Sequence, residues 1–387
     1  MLHVAFALIA ALLLLPTLPL VVELLALSLA ALWPATPIVA KDSEAFRLAV
    51  IIPGHNEEKL ITACVQSVLA AGVSPALTLV IAHNCSDATA QQAFAAGATV
   101  LPLQDDGSRG KGAALFYGFA QALDRHADAV MVVDADSQVT PQLIAQACAA
   151  FAAGADAVQA RYIAAGAQDN DRQRLLALGL YGFNVLRPRG RANLGLSCGI
   201  FGNGFALSAD TLRALPYTAH SLVEDLEYHL CLVRAGRKVT FLDAAEVHGE
   251  VPDNNAAAGT QRARWEGGRS AMRRQFAGPL FREVLRGRPA LLEPLLDLLA
   301  LPVGSAVPLL VLGLLFPVGI TRAYAALGLF SIVPYVVVSA FLSQQPAAMF
   351  RALLSVPKYL FFKLVLRKQT RAAADGSASW VRTERNQ

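Results

Sequence analysis

Val130-Met-Val-Val-Asp-Ala-Asp136 decides how this chain is read: an unbroken apolar run ends in two acids that flank one alanine. A short β-rich apolar run reads as a strand buried on both faces. Residues two apart in a strand point the same way. Asp134 and Asp136 at its carboxyl end are therefore expected to converge on one bound ion. Open α/β sheets hold ligands at the carboxyl ends of their strands. A small number of hard oxygen ligands suits Mg2+ or Mn2+ that also grips substrate phosphates. The competing reading is a cap, because D-x-D is short and common and Asp136 stands before Ser137 and Thr140-Pro141, which open the next helix.

Outward from this stretch, residues from about Leu48 to Val251 alternate short apolar runs with helical patterns, the mark of an α/β fold with a mostly parallel sheet. Leu48–Ile52, Leu77–Ala82, Ala98–Leu101 and Asp156–Ala160 read as further strands. Helices are expected over Glu57–Ala71, after the cap Ser86-Asp-Ala-Thr, and from Gly110 to Leu123.

The 387 residues are 55% hydrophobic and only 16% charged, against about 25% charged in ordinary soluble domains. A membrane protein with a soluble core fits better. A net charge of +4 is too weak to argue for nucleic acid. Five scattered cysteines without a C-x-x-C argue against a disulfide framework and a zinc site.

His3 to Leu32 is apolar apart from Pro16, Pro19 and Glu23, and a span needs about 20 such residues. We read it as one retained span, with Glu23 either at an intramembrane site or facing a partner helix. Lys41 and Arg47 then put the next domain on the positive, cytoplasmic side. Arg262 to Arg288 interleaves arginines with Phe276, Leu280, Phe281, Val284 and Leu285, the composition of an amphipathic helix on an anionic membrane face. Leu295–Val318 and Ala323–Leu342 form an expected hairpin of two spans, and Met349–Leu366 reads as a second interfacial helix before a basic tail. The expected division is therefore 1–40 membrane helix, 41–255 catalytic domain, 256–294 interface helix, 295–345 two spans and 346–387 interfacial helix and tail.

Five motifs follow in order, each with a structural competitor. Pro53-Gly-His-Asn-Glu57 and His83-Asn-Cys-Ser-Asp87 follow the first two strands, and either contact a nucleotide or cap helices. Asp134/Asp136 is the third. Val223-Glu-Asp225 opens a helix, where adjacent acids serve the dipole or supply a general base for an acceptor hydroxyl. Gln261-Arg-Ala-Arg-Trp265 offers bidentate phosphate contacts and a ring to stack on sugar, or is simply part of the basic helix.

Taken together, the sequence resembles a membrane-bound family-two glycosyltransferase with an A-type nucleotide-sugar-binding domain, plus transmembrane and interfacial helices. Within that family it is similar to bacterial exopolysaccharide synthases related to cellulose, hyaluronan and poly-N-acetylglucosamine synthases. The likeness covers Leu48 to Arg269. It implies that Pro53, Asn56 and Glu57 begin the nucleotide pocket, continued by His83, Asn84 and Asp87. It implies a metal at Asp136 with Asp134 in support and His248 as a further ligand. Asp225 matches the catalytic base, with Glu224 its neighbour. Gln261, Arg264 and Trp265 match the Q-x-x-R-W motif near donor diphosphate and acceptor. Ser197–Gly204 resembles a glycine-rich strand on the acceptor side, through Gly202, Asn203 and Gly204. Arg109-Gly-Lys-Gly112 resembles a segment whose lysine, here Lys111, lies near the donor. Trp380-Val-Arg-Thr383 resembles a W-x-T-type loop of some polymer synthases.

One departure matters: many relatives carry Asp where this chain has His83, and that Asp contacts uracil. Histidine also hydrogen-bonds a base, so the case for UDP is weakened without being removed. The resemblance implies a metal-dependent, inverting transfer from a nucleotide sugar to a polysaccharide or lipid-linked acceptor at a bacterial inner membrane. Three spans are too few for one chain to line a channel, so secretion calls for oligomers or partner proteins. Two alternatives stand beside it: transfer of one sugar to a membrane lipid such as polyprenyl phosphate, and a non-catalytic nucleotide-binding scaffold.

Overall fold

The structure is a computed structural model and describes residues 2–36, 38, 46–105, 110–165, 170–219, 221–250 and 255–356. In chain order the helices are α1 Leu2–Leu14, α2 Leu18–Ala30, α3 Ile61–Ala70, α4 Thr89–Ala95, α5 Lys111–Asp124 and α6 Pro141–Ala152. They continue with α7 Asp171–Tyr181, α8 Arg187–Asn193, α9 Ala209–Ala214, α10 Glu224–Arg234 and α11 Asn255–Leu285. The last are α12 Leu292–Leu299, α13 Val303–Leu315, α14 Gly319–Leu342 and α15 Pro346–Ala352. The strands are β1 Leu48–Gly54, β2 Thr78–His83, β3 Thr99–Leu103, β4 Ala129–Val132, β5 Ser137–Val139, β6 Ala157–Ala165, β7 Phe205–Ser208 and β8 Val239–Glu250. They fall into two compact units whose chain segments interleave.

The first unit, formed within Ala35–Ala167 and Ser197–Gly268, is built on one eight-stranded sheet in the order β3-β2-β1-β4-β7-β6-β8-β5. β1 pairs in parallel with β2 and β4, β2 pairs in parallel with β3, and β7 runs antiparallel to β4 and β6. The sheet is mixed and mostly parallel, as the apolar runs predict. Leu48, Val50 and Ile52 of β1 join Ile61, Val65 and Val68 of α3 and Leu143 and Ala147 of α6 in one cluster. The alternate residue Ile51 faces α5, where a Cβ on Gly118 would lie 3.3 Å from it and 3.2 Å from Ile81. Both faces of the central strands are thus covered, which is why β1, β4 and the middle of β2 (Leu79–Ala82) carry no polar residue. Each fully buried Val or Ile there contributes about 1.5–3 kcal/mol.

The ends of the elements differ from the sequence expectation in ways that shape the site. β4 stops at Val132, and Asp134–Asp136 lie in a turn closed by Ser137 N–H donating to Asp134 O at 3.0 Å. The same-face argument for a strand therefore does not apply to the two acids. α3 starts at Ile61, later than expected, because Asn56 takes a left-handed φ of 58° and the chain turns before it can coil. The stretch Ser197–Gly204 is a loop, with strand pairing beginning only at Phe205; Gly199, Gly202 and Gly204 all have positive φ, which a regular strand excludes.

The second unit gathers, among the described residues, those of Met1–Pro34 and Gln168–Leu196 and the chain from Arg269 to Val356. Phe6–Ala30 and Gly319–Leu342 are each long and apolar enough to cross a bilayer. The expected span Leu295–Val318 is instead two helices, Pro289–Leu299 and Val303–Leu315, bent by 85°. Pro302 at the break cannot continue the preceding helix. α15 ends at Ala352, and the basic tail and Trp380–Thr383 lie outside the described residues.

Close packing in this unit uses glycine. A Cβ on Gly190 of α8 would sit 2.5 Å from Leu27 O of α2, and one on Gly182 would sit 2.3 Å from the Tyr335 hydroxyl of α14. Glu23, open to two readings in the sequence, is paired with Arg187. Arg187 also reaches Asp297, Arg191 lies 3.0 Å from Asp297 and pairs with Glu293, and Arg269 lies 3.1 Å from Asp297. Three guanidinium groups and three carboxylates make a buried, charge-balanced network joining α2, α8, α11 and α12.

Candidate active site

Parallel strands β1, β2 and β4 deliver their following loops to one edge of the sheet, and antiparallel β7 receives its preceding loop there. That edge collects most of the motifs singled out in the sequence.

The first two motifs clamp one another. Asn56 Oδ1 accepts from Ser86 N–H at 2.8 Å, and Glu57 N–H donates to Thr89 Oγ1 at 2.7 Å. Glu58 N–H donates to Asp87 at 3.2 Å, while Ala88 N–H donates to the Glu58 carboxylate at 3.0 Å. Asn84, with φ 49°, uses its whole amide on Asp105: Nδ2 donates to Asp105 O and Oδ1 accepts Asp105 N–H, both at 2.9 Å. Burial alone would raise the Asp87 carboxyl, but the bonds from Thr89 and from Glu58 N–H bring it below its ordinary value. Pro53 lies in β1 opposite Ile81, and His83 is buried at the end of β2, its carbonyl bonded to His55 Nδ1 at 2.8 Å. The side chains of Asn56, Asn84 and Asp87 thus hold the loops of this edge together, while Glu57 and His83 join in through their backbone.

The acids behave differently. Lys111, second-last of the Arg109–Gly112 stretch, starts α5 and donates both to Asp134 Oδ1 and to Gly202 O. Gly202 has φ 75°, and a Cβ there would lie 3.3 Å from Asp225 Oδ2 and 3.8 Å from Lys111 Nζ. Asp134, Lys111, Gly202 and Asp225, from four separate segments, thus meet at one point. Burial by itself pushes the Lys111 ammonium down, but Asp134, then Glu224 and Asp225, outweigh it and the net shift is upward. Cys64 lies beneath the acid turn, its thiol donating to Asp134 O at 3.4 Å. Burial, and then the Asp136 and Asp134 carboxylates, push that thiol up.

Asn203 and Gly204, expected on the acceptor side, serve the frame. Asn203 is 0% exposed, and its Oδ1 accepts from Asp134 N–H at 3.1 Å. Gly204 bridges β4 and β6 through backbone bonds, and a Cβ on it would fall 2.4 Å from Val247. Gly268 of α11 packs on Val223, where a Cβ would lie 2.6 Å from a Val223 methyl. Trp265, one turn earlier, is 43% exposed. The side chains of Gln261 and Arg264, and residue Arg109, lie outside the described residues.

For a metal, the edge offers carboxylates and no closed cage. Among the described residues no group of three or more His, Cys, Asp and Glu is arranged to hold an ion. His248 sits in β8 opposite Gln138, with Nε2 3.1 Å from Glu246, while its neighbour Gly249 faces Ser137. Alternation along the strand turns His248 to the other face from the acid turn. Asp134 and Asp136 remain: hard oxygen donors in a turn at a partly exposed edge, a set that suits Mg2+ or Mn2+ completed by substrate oxygens.

Residues missed in the sequence are the bracing ones: Thr89, Glu58, Ser137 and Gln159. Gln159 stands out in hindsight as the polar break in the buried run Ala157-Val-Gln-Ala160.

A search of curated proteins returns no match. Among solved structures the chain is similar to the mannosyltransferase PcManGT from Pyrobaculum calidifontis in complex with GDP-Man and Mn2+, at 18% identity, 92% of this chain, 98% of that chain and TM-score 0.54. It is also matched to glucosyl-3-phosphoglycerate synthase from Mycobacterium tuberculosis in complex with Mn2+, UDP and glucosyl-3-phosphoglycerate, at 21% identity, 58% of this chain, 80% of that chain and TM-score 0.39. At such identity the first likeness bears on the fold alone. The profile described as glycosyltransferase like family 2 matches residues 46–268, more than half of the sequence and the whole of the sheet with its acid edge, and the chain belongs to that family.

Proposed function

We propose that this protein is a membrane glycosyltransferase that moves a sugar from a nucleotide diphosphate sugar, with UDP-sugars as first candidates, to a hydroxyl of a growing exopolysaccharide. The carrying observation is the meeting of Lys111, Asp134, Gly202 and Asp225 at the sheet edge. The GDP-Man and Mn2+ bound by the Pyrobaculum calidifontis mannosyltransferase accord with it.

Asp225 takes the proton of the attacking hydroxyl, beside Glu224, in a single displacement that inverts the anomeric carbon. A general base of this kind contributes about 10²–10⁴-fold. Asp136, supported by Asp134, would hold Mg2+ or Mn2+, which when bound supplies positive charge to the departing diphosphate. Lys111 adds a partly buried cation between donor-side and acceptor-side groups, and Arg264 a second at the diphosphate. Trp265, exposed on α11, offers a ring face to sugar. The apolar helices hold the domain at a bacterial inner membrane, with the acid edge facing the cytoplasm and α11 on the lipid surface.

The test uses purified full-length protein and radiolabelled UDP- and GDP-sugars. Asp225→Asn abolishes transfer and leaves donor binding nearly intact, whereas Asp136→Ala loses both. Near-normal turnover by Asp225→Asn overturns the assignment. A second reading, one sugar passed to a polyprenyl-phosphate lipid, draws support from the small number of helices, among the described residues, long enough to cross a membrane. Product size separates them: a ladder or high polymer against a single lipid-linked sugar. A non-catalytic scaffold predicts no metal-dependent hydrolysis of any donor.

A further inference from the structure

We propose that Ser137 and Asn203 form a positioning relay that sets the Asp136 carboxylate for the divalent ion and ties it to the acceptor-side loop. This rests on the metal reading of Asp136 given above. The sequence resemblance assigns Asn203 to acceptor contact, but a side chain with no exposed surface cannot touch an acceptor.

Both ends of the Asn203 amide are in use. The Asp134 N–H must find an acceptor, and Asn203 Oδ1 supplies it at 3.1 Å. That orients Nδ2, a donor only, toward Ser137 Oγ at 2.9 Å. Having accepted there, the Ser137 hydroxyl sends its own proton to Asp136 Oδ1 at 3.0 Å. The direction is consistent along the chain: Asn203 to Ser137 to Asp136, with Asp134 closing the circuit through its backbone.

Two further features hold the relay rigid. Ser137 is 0% exposed and faces Gly249 across β5 and β8. A Cβ on Gly249 would lie 3.0 Å from Ser137 Oγ and 2.6 Å from the Tyr162 ring, so a larger residue there would crowd the hydroxyl out of place. Behind Asn203, the buried Gln159 donates to Asn203 O at 2.8 Å and Ala160 O at 2.9 Å, and accepts Phe201 N–H at 3.0 Å. The loop that carries Gly202 toward Asp225 is therefore braced by the same groups that orient Asp136. Donor-side and acceptor-side geometry are set together.

Groups that hydrogen-bond a metal-holding carboxylate cost about 10–100-fold in metal affinity or activity when removed. The experiment is an electron paramagnetic resonance titration of Mn2+ into detergent-purified full-length protein, with saturating UDP and, in parallel, GDP. Ser137→Ala is expected to bind Mn2+ about tenfold more weakly than wild type. Ser137→Cys, which keeps the volume with a poor donor, is expected to fall with it; both leave the buried Asn203 Nδ2 without a good acceptor and should melt somewhat below wild type while still unfolding in one cooperative transition. Ser137→Ala binding like wild type while Asp136→Ala loses Mn2+ overturns the relay and leaves the metal reading standing. If Asp136→Ala also binds like wild type, or wild type takes up no Mn2+, the metal reading fails and the relay with it.

Discussion

Lys111 and Asp134 form an ion pair across 23 positions of sequence, and the same ammonium donates to Gly202 O. The shift of Lys111 upward, despite burial that opposes it, keeps it a cation throughout the neutral range. Removing it leaves Asp134, Glu224 and Asp225 facing one another without the charge between them. Lys111→Met is therefore expected to lower kcat about 10²-fold, the loss that follows removal of one preorganised charge-stabilising donor. Lys111→Arg should recover only part, because a planar fork cannot reproduce a compact ammonium between two oxygens. Steady-state transfer with labelled donor measures both; a Lys111→Met enzyme at wild-type rate removes Lys111 from the machinery.

Gly202 is the position where backbone conformation and site geometry coincide. Its φ of 75° disfavours any L side chain by about 1–2 kcal/mol. The added carbon of Gly202→Ala would stand 3.3 Å from Asp225 Oδ2 and so displace the proposed base. The carboxylate would have to give by a few tenths of an ångström, less than the shift of about 1 Å that costs about 10²-fold, so a loss below that is expected. The variant should lose transfer far more than it loses melting temperature, and equal loss of both would mean that Gly202 matters to folding alone.

The sheet was readable from local pattern because burial on both faces leaves an unmistakable signal in β1, β2 and β4. The acids at the edge were readable for the same reason: polar residues at the end of an apolar run must face something. Bracing was not. Asn84 spends its amide on Asp105, and the Asp87 carboxylate accepts from Glu58 N–H, partners fixed only once loops from different strands arrive at one edge. Nor does local pattern show that Asp297 collects three arginines from α8 and α11, or that Pro302 bends what hydropathy reads as one continuous span.

That arginine cluster makes an asymmetric prediction. Glu23 is paired with Arg187, which keeps Asp297 if Glu23 is neutralised. Asp297 is shared by Arg187, Arg191 and Arg269, so its loss takes a carboxylate from three guanidinium groups at once, although Arg187 keeps Glu23 and Arg191 keeps Glu293. Asp297→Asn is expected to cost about 3–5 kcal/mol, the range for breaking a buried pair. Glu23→Gln should cost clearly less. Thermal melts of the two variants in one detergent decide the order, and a Glu23→Gln loss as large as that of Asp297→Asn contradicts it.

Tyr217 carries the opposite sign. Its ring is packed between Phe119 of α5, 5.1 Å away by centroid, and Tyr228 of α10, 4.6 Å away. The residue is 2% exposed, and its hydroxyl has no hydrogen-bond partner among the described residues. Burial, then the carboxylates of Glu224 and Asp225, push the phenol well above its ordinary range, so it stays protonated. An unsatisfied buried polar group costs about 1–3 kcal/mol. Tyr217→Phe keeps both ring contacts and removes that cost, so the variant should melt higher by about 2–4 °C for each kcal/mol gained. Tyr217→Leu, which loses the ring contacts, should melt lower than wild type. A Tyr217→Phe protein that melts below wild type would mean the hydroxyl is bonded in solution.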